Sequence, residues 1–168
     1  MIKQFIKGKV YVFIDAANIF YSQKTMGWRV SYEKLINYFR DECDLGHCFL
    51  YTGKISGDIK QQRFLDMLEI TGYIVRTKEV KKIHAGKAAE KRKCNLDIEL
   101  TLDIISTMSK FDTAVLISGD SDYAPVVDKI KREGKRVIII STRGHISKEL
   151  LDRAKYIDLR KLKNYISL

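Results

Sequence analysis

Short runs of β-branched and aromatic residues alternate with segments of helical spacing along the whole chain. Residues 10–15 form an apolar run closed by Asp15, and residues 48–52, 73–78, 113–118 and 136–141 repeat the strand pattern. Residues 156–159 have the length of a last edge strand. Helical spacing is clear over 31–42, where Leu35, Ile36 and Phe39 share a face and Ser31 is placed to cap the first turn. Residues 58–70 repeat it, with Asp58 and Gln61 in capping-box register, a Phe64, Leu65 and Leu68 stripe, and Gly72 as the stop. Further helices are predicted over 95–109 behind Asn95, over 123–133 with Pro125 in the first turn and Gly134 as the stop, and over 147–154. Strands alternating with helices, two of the strands near-continuously apolar, predict an α/β fold of βαβ units around a parallel sheet covered on both faces.

Length and composition narrow the class. A chain of 168 residues, 45% hydrophobic and 31% charged with one proline, is expected to be a single domain over 1–168 with its own core. No repeat, linker or low-complexity tract interrupts it. No apolar run approaches the ~18 residues of a membrane helix, and Lys7 and Lys9 break any signal-peptide pattern, so no membrane association is expected. Three cysteines without framework spacing suit a reducing, cytoplasmic setting. A homodimer is compatible with the sequence, which contains nothing that demands one.

The net charge is +10, and it is uneven. Between Arg76 and Lys93, eight basic residues face only Glu79 and Glu90. The stretch 81–93 has little to bury and predicts an exposed loop or a short helix. A solvated face is the plain explanation for such a run, and a grip on a polyanion the functional one.

The carboxylates favour the second. In open α/β sheets the working crevice lies at the carboxyl ends of the strands, where strand order reverses. Asp15 closes the first strand, and Asp120 and Asp122 follow the strand over 113–118 across Gly119, which permits a tight turn. A strand order of the 3-2-1-4-5 kind sets Asp15 beside Asp120. At about 100° per residue, Asp97 falls inside the apolar arc of Leu96, Leu100, Ile104 and Met108, extended by Ile98, Leu102 and Ile105. Glu99, Asp103 and Ser106 fall on the polar side. An inward carboxylate needs a partner, and several together need a cation or a raised pKa. Hard oxygen donors without clustered His or Cys point to Mg²⁺ or Mn²⁺. An acidic metal site beside a basic approach reads as phosphodiester hydrolysis.

These segments resemble the NYN domain family, the LabA-like branch of the PIN-like nucleases. The residues that carry the likeness are Val12-Phe13-Ile14-Asp15-Ala16-Ala17-Asn18-Ile19, Leu96-Asp97 with Asp103, and Ser118-Gly119-Asp120-Ser121-Asp122-Tyr123-Ala124-Pro125-Val126-Val127. The likeness continues through Glu133-Gly134-Lys135-Arg136-Val137 into Ser147, Leu150 and the stretch 154–159. It spans nearly the whole chain. The resemblance implies a three-layer, Rossmann-like α/β/α sandwich, a Mg²⁺- or Mn²⁺-dependent acidic site, and ribonuclease activity as found in some members. Asp15, Asp97, Asp120 and Asp122 fall on the family's acidic positions and Asn18 on the polar partner of the first. Asp103 matches a family acid as well, but its side of the helix assigns it a structural role. Cys94-Asn95 stands where members often carry Lys-Gly, which moves the lysine to Lys93.

The expected function is therefore hydrolysis of RNA at a cluster of carboxylates. Asp15, Asp97 and Asp120 are expected to ligate the metal, and Asp122 to hold a second ion or orient the attacking water. Asn18 would position Asp15 or a phosphate, and Lys81, Lys82, Lys87, Lys91, Arg92 and Lys93 would grip the RNA backbone. Two alternatives stand beside it: a non-catalytic RNA-binding or regulatory module of the same fold, and a phosphatase acting on small esters, which needs no extended cationic track. The chain has no nucleophile elbow and no nucleotide-binding glycine motif. Cys43, His47 and Cys48 lack zinc-pair spacing and a fourth ligand. Phe20, Tyr21 and Trp28 lie just after Asn18, where core packing or a lid is expected ahead of base stacking. His84 would be a solvated residue or a phosphate contact, and His145 would line the cleft or cap the following helix.

Overall fold

The computed structural model describes residues 1–83 and 91–168, with 81–83 and 91–93 as backbone. Six strands form one sheet: β1 (Lys9–Asp15), β2 (Asp44–Lys54), β3 (Ile74–Glu79), β6 (Thr113–Ile117), β7 (Arg136–Ser141) and β8 (Lys155–Asp158). Their order is β3-β2-β1-β6-β7-β8, and every pairing is parallel. The chain builds outward from β1 in one direction, returns to its other side at β6, and builds outward again. Strand order therefore reverses at the β1–β6 seam.

The alternation of side chains sorts each central strand between two cores. Val10, Val12 and Ile14 of β1 join Val115, Ile117, Ile138 and Ile140 on one face. There they pack under α1 (Ala16–Met26), α2 (Tyr32–Glu42), α3 (Ile59–Thr71) and the C-terminal α7 (Lys163–Ile166). Tyr11 and Phe13 join Leu116 and Ile139 on the other face, under α4 (Asp97–Thr107), α5 (Ala124–Arg132) and the short α6 (Lys148–Leu151). The result is a three-layer α/β/α sandwich. Burial on both faces explains why β1, β6 and β7 read as unbroken apolar runs.

Ser31 and Asp58 cap their helices as expected, whereas Ser147 caps an α6 that stops at Leu151, short of the 147–154 that the pattern predicts. Ser31 Oγ accepts from Lys34 N at 3.2 Å, Asp58 Oδ1 from Gln61 N at 2.9 Å, and Ser147 Oγ from Leu150 N at 3.4 Å. Gly72 closes α3 at φ +107°, a left-handed conformation that a side chain would strain.

Four expectations need correction. The first concerns α1, which the periodicity did not reveal because it buries only Ile19 and Ser22. It is held by its ends: Asp15 caps it and Gly27 terminates it at φ +73°. The second concerns the basic segment, which is neither loop nor helix where it is described. Strands β4 (Lys81–Ile83) and β5 (Lys91–Lys93) pair antiparallel, Lys82 opposite Arg92, and His84 and Lys87 lie outside the described residues. The third concerns the apolar arc of α4, which is narrower than its composition implied. Ile98, Leu102 and Ile105 are exposed, because the helix lies against the sheet along Leu100 and Ile104. The fourth concerns β2, which extends beyond 48–52 at both ends because its pairing with β1 begins at Asp44 and its pairing with β3 runs to Lys54. No helix among the described residues is long and apolar enough to cross a membrane.

The loops that follow β6 and β7 cross at Gly119, whose carbonyl accepts from Ser147 N at 2.9 Å. A Cβ on Gly119 would overlap the His145 carbonyl oxygen, so the glycine serves close backbone approach. Gly119→Ala is expected to lose about 1–3 kcal/mol of stability from this overpacking, read as a lower urea midpoint.

Candidate active site

The β1–β6 seam positions the first carboxylate. Asp15 ends β1 and caps α1, its Oδ1 accepting from Ala17 N at 2.9 Å and Asn18 N at 3.3 Å. Its Oδ2 accepts from Ser118 Oγ at 3.1 Å, a bond that joins the ends of neighbouring strands. Ser118 is fully buried, and its Oγ also accepts from Asp120 N at 3.3 Å. Asp120 Oδ1 in turn accepts from Asp122 N at 3.0 Å and caps the short 3-10 turn Ser121–Tyr123. A continuous chain of hydrogen bonds thus runs from Asp15 through Ser118 to Asp120 and Asp122.

Asp97 reaches the same place from the N-terminus of α4. Asn95 Oδ1 accepts from Asp97 N at 2.7 Å, so Asn95 does restrain the start of this helix, although the first helical residue is Asp97. The inward carboxylate finds its partner in Tyr123, whose hydroxyl donates to Asp97 Oδ1 at 2.6 Å. Tyr123 is only 1% exposed. Its phenol is pushed well above the ordinary range by burial first, then by the bond to Asp97 and the field of Asp15, Asp97 and Asp120. It therefore stays a neutral donor.

Asp97, Asp120 and Asp122 each offer one oxygen, and the three oxygens lie within 4.8 Å of one another. All are hard carboxylate donors, two of them on exposed residues, and this set fits a Mg²⁺- or Mn²⁺-type cation. Asp15 lies outside this trio. Burial raises its pKa, opposed by the bonds from Ser118, Asn18 and Ala17 and reinforced by the nearby Asp97. Asn18 meets Asp15 through its backbone N–H, while its side-chain Oδ1 accepts from Ser141 Oγ at 3.0 Å and ties α1 to the end of β7. Asp103 accepts from the Tyr51 hydroxyl and from Arg76 Nε, both at 3.0 Å. Its site is that ion pair on the other side of α4.

A cleft of about 590 Å³ opens at this end of the sheet, with Asp15, Asp97 and Asp120 in its wall. Phe20 and Tyr21 line it and stand 52% and 56% exposed, so core packing is not their role. Trp28 does lean on the core. His145 neither lines this cleft nor caps α6; its Nε2 meets Thr25 Oγ1 at 2.6 Å. Cys48 is buried, and Cys43 Sγ donates to Phe39 O at 2.9 Å, which leaves the pair on structural duty. Ser118 and Tyr123 are the site-building residues that sequence reasoning passed over. Both stand inside the 118–127 motif, and their neighbour carboxylates were the available signal.

A parallel sheet of this order, covered by helices on both faces and with carboxylates converging at its switch point, is a Rossmann-like α/β/α sandwich. The chain belongs to the NYN domain family, a PIN-like nuclease family, whose model matches residues 9–160. It is 34% identical over 167 residues to the low amplitude and bright protein LabA of Synechococcus elongatus, covering 96% of this chain and 89% of that one. It is also similar to the crystal structure of a Vibrio parahaemolyticus protein of unknown function, at a TM-score of 0.78 and 24% identity over 96% and 97% of the two chains. That likeness supports the fold alone.

The raised pKa of Asp15 has a sign that can be tested. The folded state holds the Asp15 proton more tightly than the unfolded chain, so stability falls as pH rises from the ordinary carboxylate range through the folded pKa. With chelator present, Asp15→Asn is expected to melt higher than wild type at pH 7. The gap should close below about pH 4, as followed by thermal unfolding.

Proposed function

We propose that the chain is a metal-dependent ribonuclease. The observation that carries this reading is the convergence of Asp97, Asp120 and Asp122 oxygens at the switch-point cleft of an NYN domain. Mg²⁺ or Mn²⁺ bound there supplies Lewis-acid polarisation of a phosphate and stabilises charge on the leaving oxygen. The chain's own residues prepare that site. Tyr123 holds Asp97 in place, the Asp120–Asp122 bond orders the 3-10 turn, and Asp122 at the exposed rim orients the incoming water. Hydrolysis adds water across one P–O bond, its oxygen going to phosphorus and a proton to the departing oxygen.

Asp15 acts as a positioning residue. Three hydrogen bonds already occupy it, and through Ser118 it sets the backbone at Asp120. Asn18 anchors the same corner to β7. Grip on the RNA backbone falls to the β4–β5 pair, which carries Lys81, Lys82, Lys91, Arg92 and Lys93 and leads directly into Cys94 at the cleft wall. Lys87 belongs to the same basic segment in sequence.

An end-labelled mixed-sequence RNA should be cut in Mg²⁺ or Mn²⁺ and left intact in EDTA. Asp120→Asn should abolish cutting, whereas Asp15→Asn should keep a residue of activity, reduced about 10- to 100-fold as for other groups that orient metal ligands. Folded protein that binds RNA but cuts it in neither ion would establish the binding module instead.

Neutralising Lys91, Arg92 and Lys93 together should flatten the slope of log affinity against log salt by about 2. Filter binding over a salt series measures it. An unchanged slope would return these residues to the solvated surface.

A further inference from the structure

The exposed aromatic pair on α1 is the feature that the acidic cluster leaves unexplained. Single exposed hydrophobic residues are ordinary. Here two adjacent ones project from the helix that begins at Asp15, with ring centroids 5.5 Å apart in an edge-to-face arrangement. Lys24 Nζ lies 4.4 Å from the Phe20 ring centre and 5.5 Å from that of Tyr21. Both rings line the cleft that holds Asp15, Asp97 and Asp120. Phe20 also borders a second concavity of about 340 Å³, walled by Lys24, Trp28 and Arg29. Phe20 therefore stands as a ridge between an acidic hollow and a cationic, aromatic one.

That sequence of surfaces matches the chemistry of an unpaired nucleotide. A base offers a π-face to an aromatic ring whatever its identity, and the adjoining phosphate seeks a cation. A paired base has both faces covered by its neighbours and cannot take up such a ring. Lysine over the rings strengthens the case, since its ammonium is held by the ring faces and remains within reach of a phosphate.

We propose that Phe20 and Tyr21 form a stacking step for an unpaired nucleobase, with the neighbouring phosphate held by Lys24 and Arg29 in the concavity beyond. This rests on RNA being the ligand of the acidic cleft. It assigns to α1 a specificity-determining surface that selects unpaired over paired RNA next to the site of hydrolysis.

The test uses the full chain in EDTA, so that no RNA is consumed, and an RNA carrying one 2-aminopurine, whose fluorescence falls on stacking. A single strand should bind with quenching, and Phe20→Ala and Tyr21→Ala should each weaken that binding about 5- to 150-fold. The quench should be lost with Phe20→Ala and kept with Phe20→Trp, while affinity for a fully paired duplex of the same length stays unchanged. Circular dichroism melts check folding, which the exposure of both side chains protects. Single-strand binding and quenching equal to wild type in the alanine variants would overturn the stacking step and leave the ribonuclease reading intact. Equal losses on single strand and duplex would also overturn it, because the pair would then serve a general contact. A wild-type chain that binds neither RNA in EDTA would overturn the stacking step, whose aromatic and lysine contacts need no cation, and would leave the ribonuclease reading to the cleavage assay in Mg²⁺ or Mn²⁺.

Discussion

Ser118 donates to Asp15 across the seam where strand order reverses, and the acidic cluster is built outward from that bond. A parallel sheet brings the carboxyl ends of β1 and β6 together, but alignment alone leaves their loops free to drift. The serine couples them. Its hydroxyl is both donor to Asp15 and acceptor from Asp120 N, so one buried oxygen fixes the first carboxylate and the backbone of the next. Gly119 lies between, and its lack of a side chain lets the β7–α6 loop close against the turn from the other side. Asp120 and Asp122 inherit their positions from this packing.

Electrostatics divides the carboxylates by burial. Asp120 and Asp122 are exposed, so water offsets their charge and their convergence is tolerated. Asp15 sits deeper, and among the described residues its hydrogen bonds come from neutral donors, which leaves its proton held more tightly than usual. Asp97 is half-buried and takes one strong bond from a phenol that burial keeps neutral. The surrounding protein carries a net +10, so a polyanion meets attraction at long range and acidic groups only at the end of the approach.

Helix α1 connects that centre to the surface. Its first turn is capped by Asp15, its third residue is tied to β7 through Asn18, and its fifth and sixth present aromatic rings to the cleft. Because its ends are fixed by hydrogen bonds, its outward face is released from packing duty. On the opposite layer, α4 delivers Asp97 at its start and spends Asp103 on Arg76 and Tyr51, one helix serving the site and the scaffold from different sides.

By itself the sequence determined the βαβ alternation, the helix caps at Ser31 and Asp58, and the carriage of Asp97, Asp120 and Asp122 on short motifs beside strand or helix ends. Those features depend on neighbours within a few residues, where periodicity and capping chemistry act. The tertiary structure alone decided the rest. The outward turn of Phe20 and Tyr21, the exposure of Ile98, Leu102 and Ile105, and the pairing of β4 with β5 depend on what each side chain or strand meets from elsewhere in the chain. An apolar residue has the same pattern whether it faces a core or a cleft. The Asp15–Ser118 and Asp97–Tyr123 bonds join residues 103 and 26 positions apart, and such contacts exist only once strand order has set their distance.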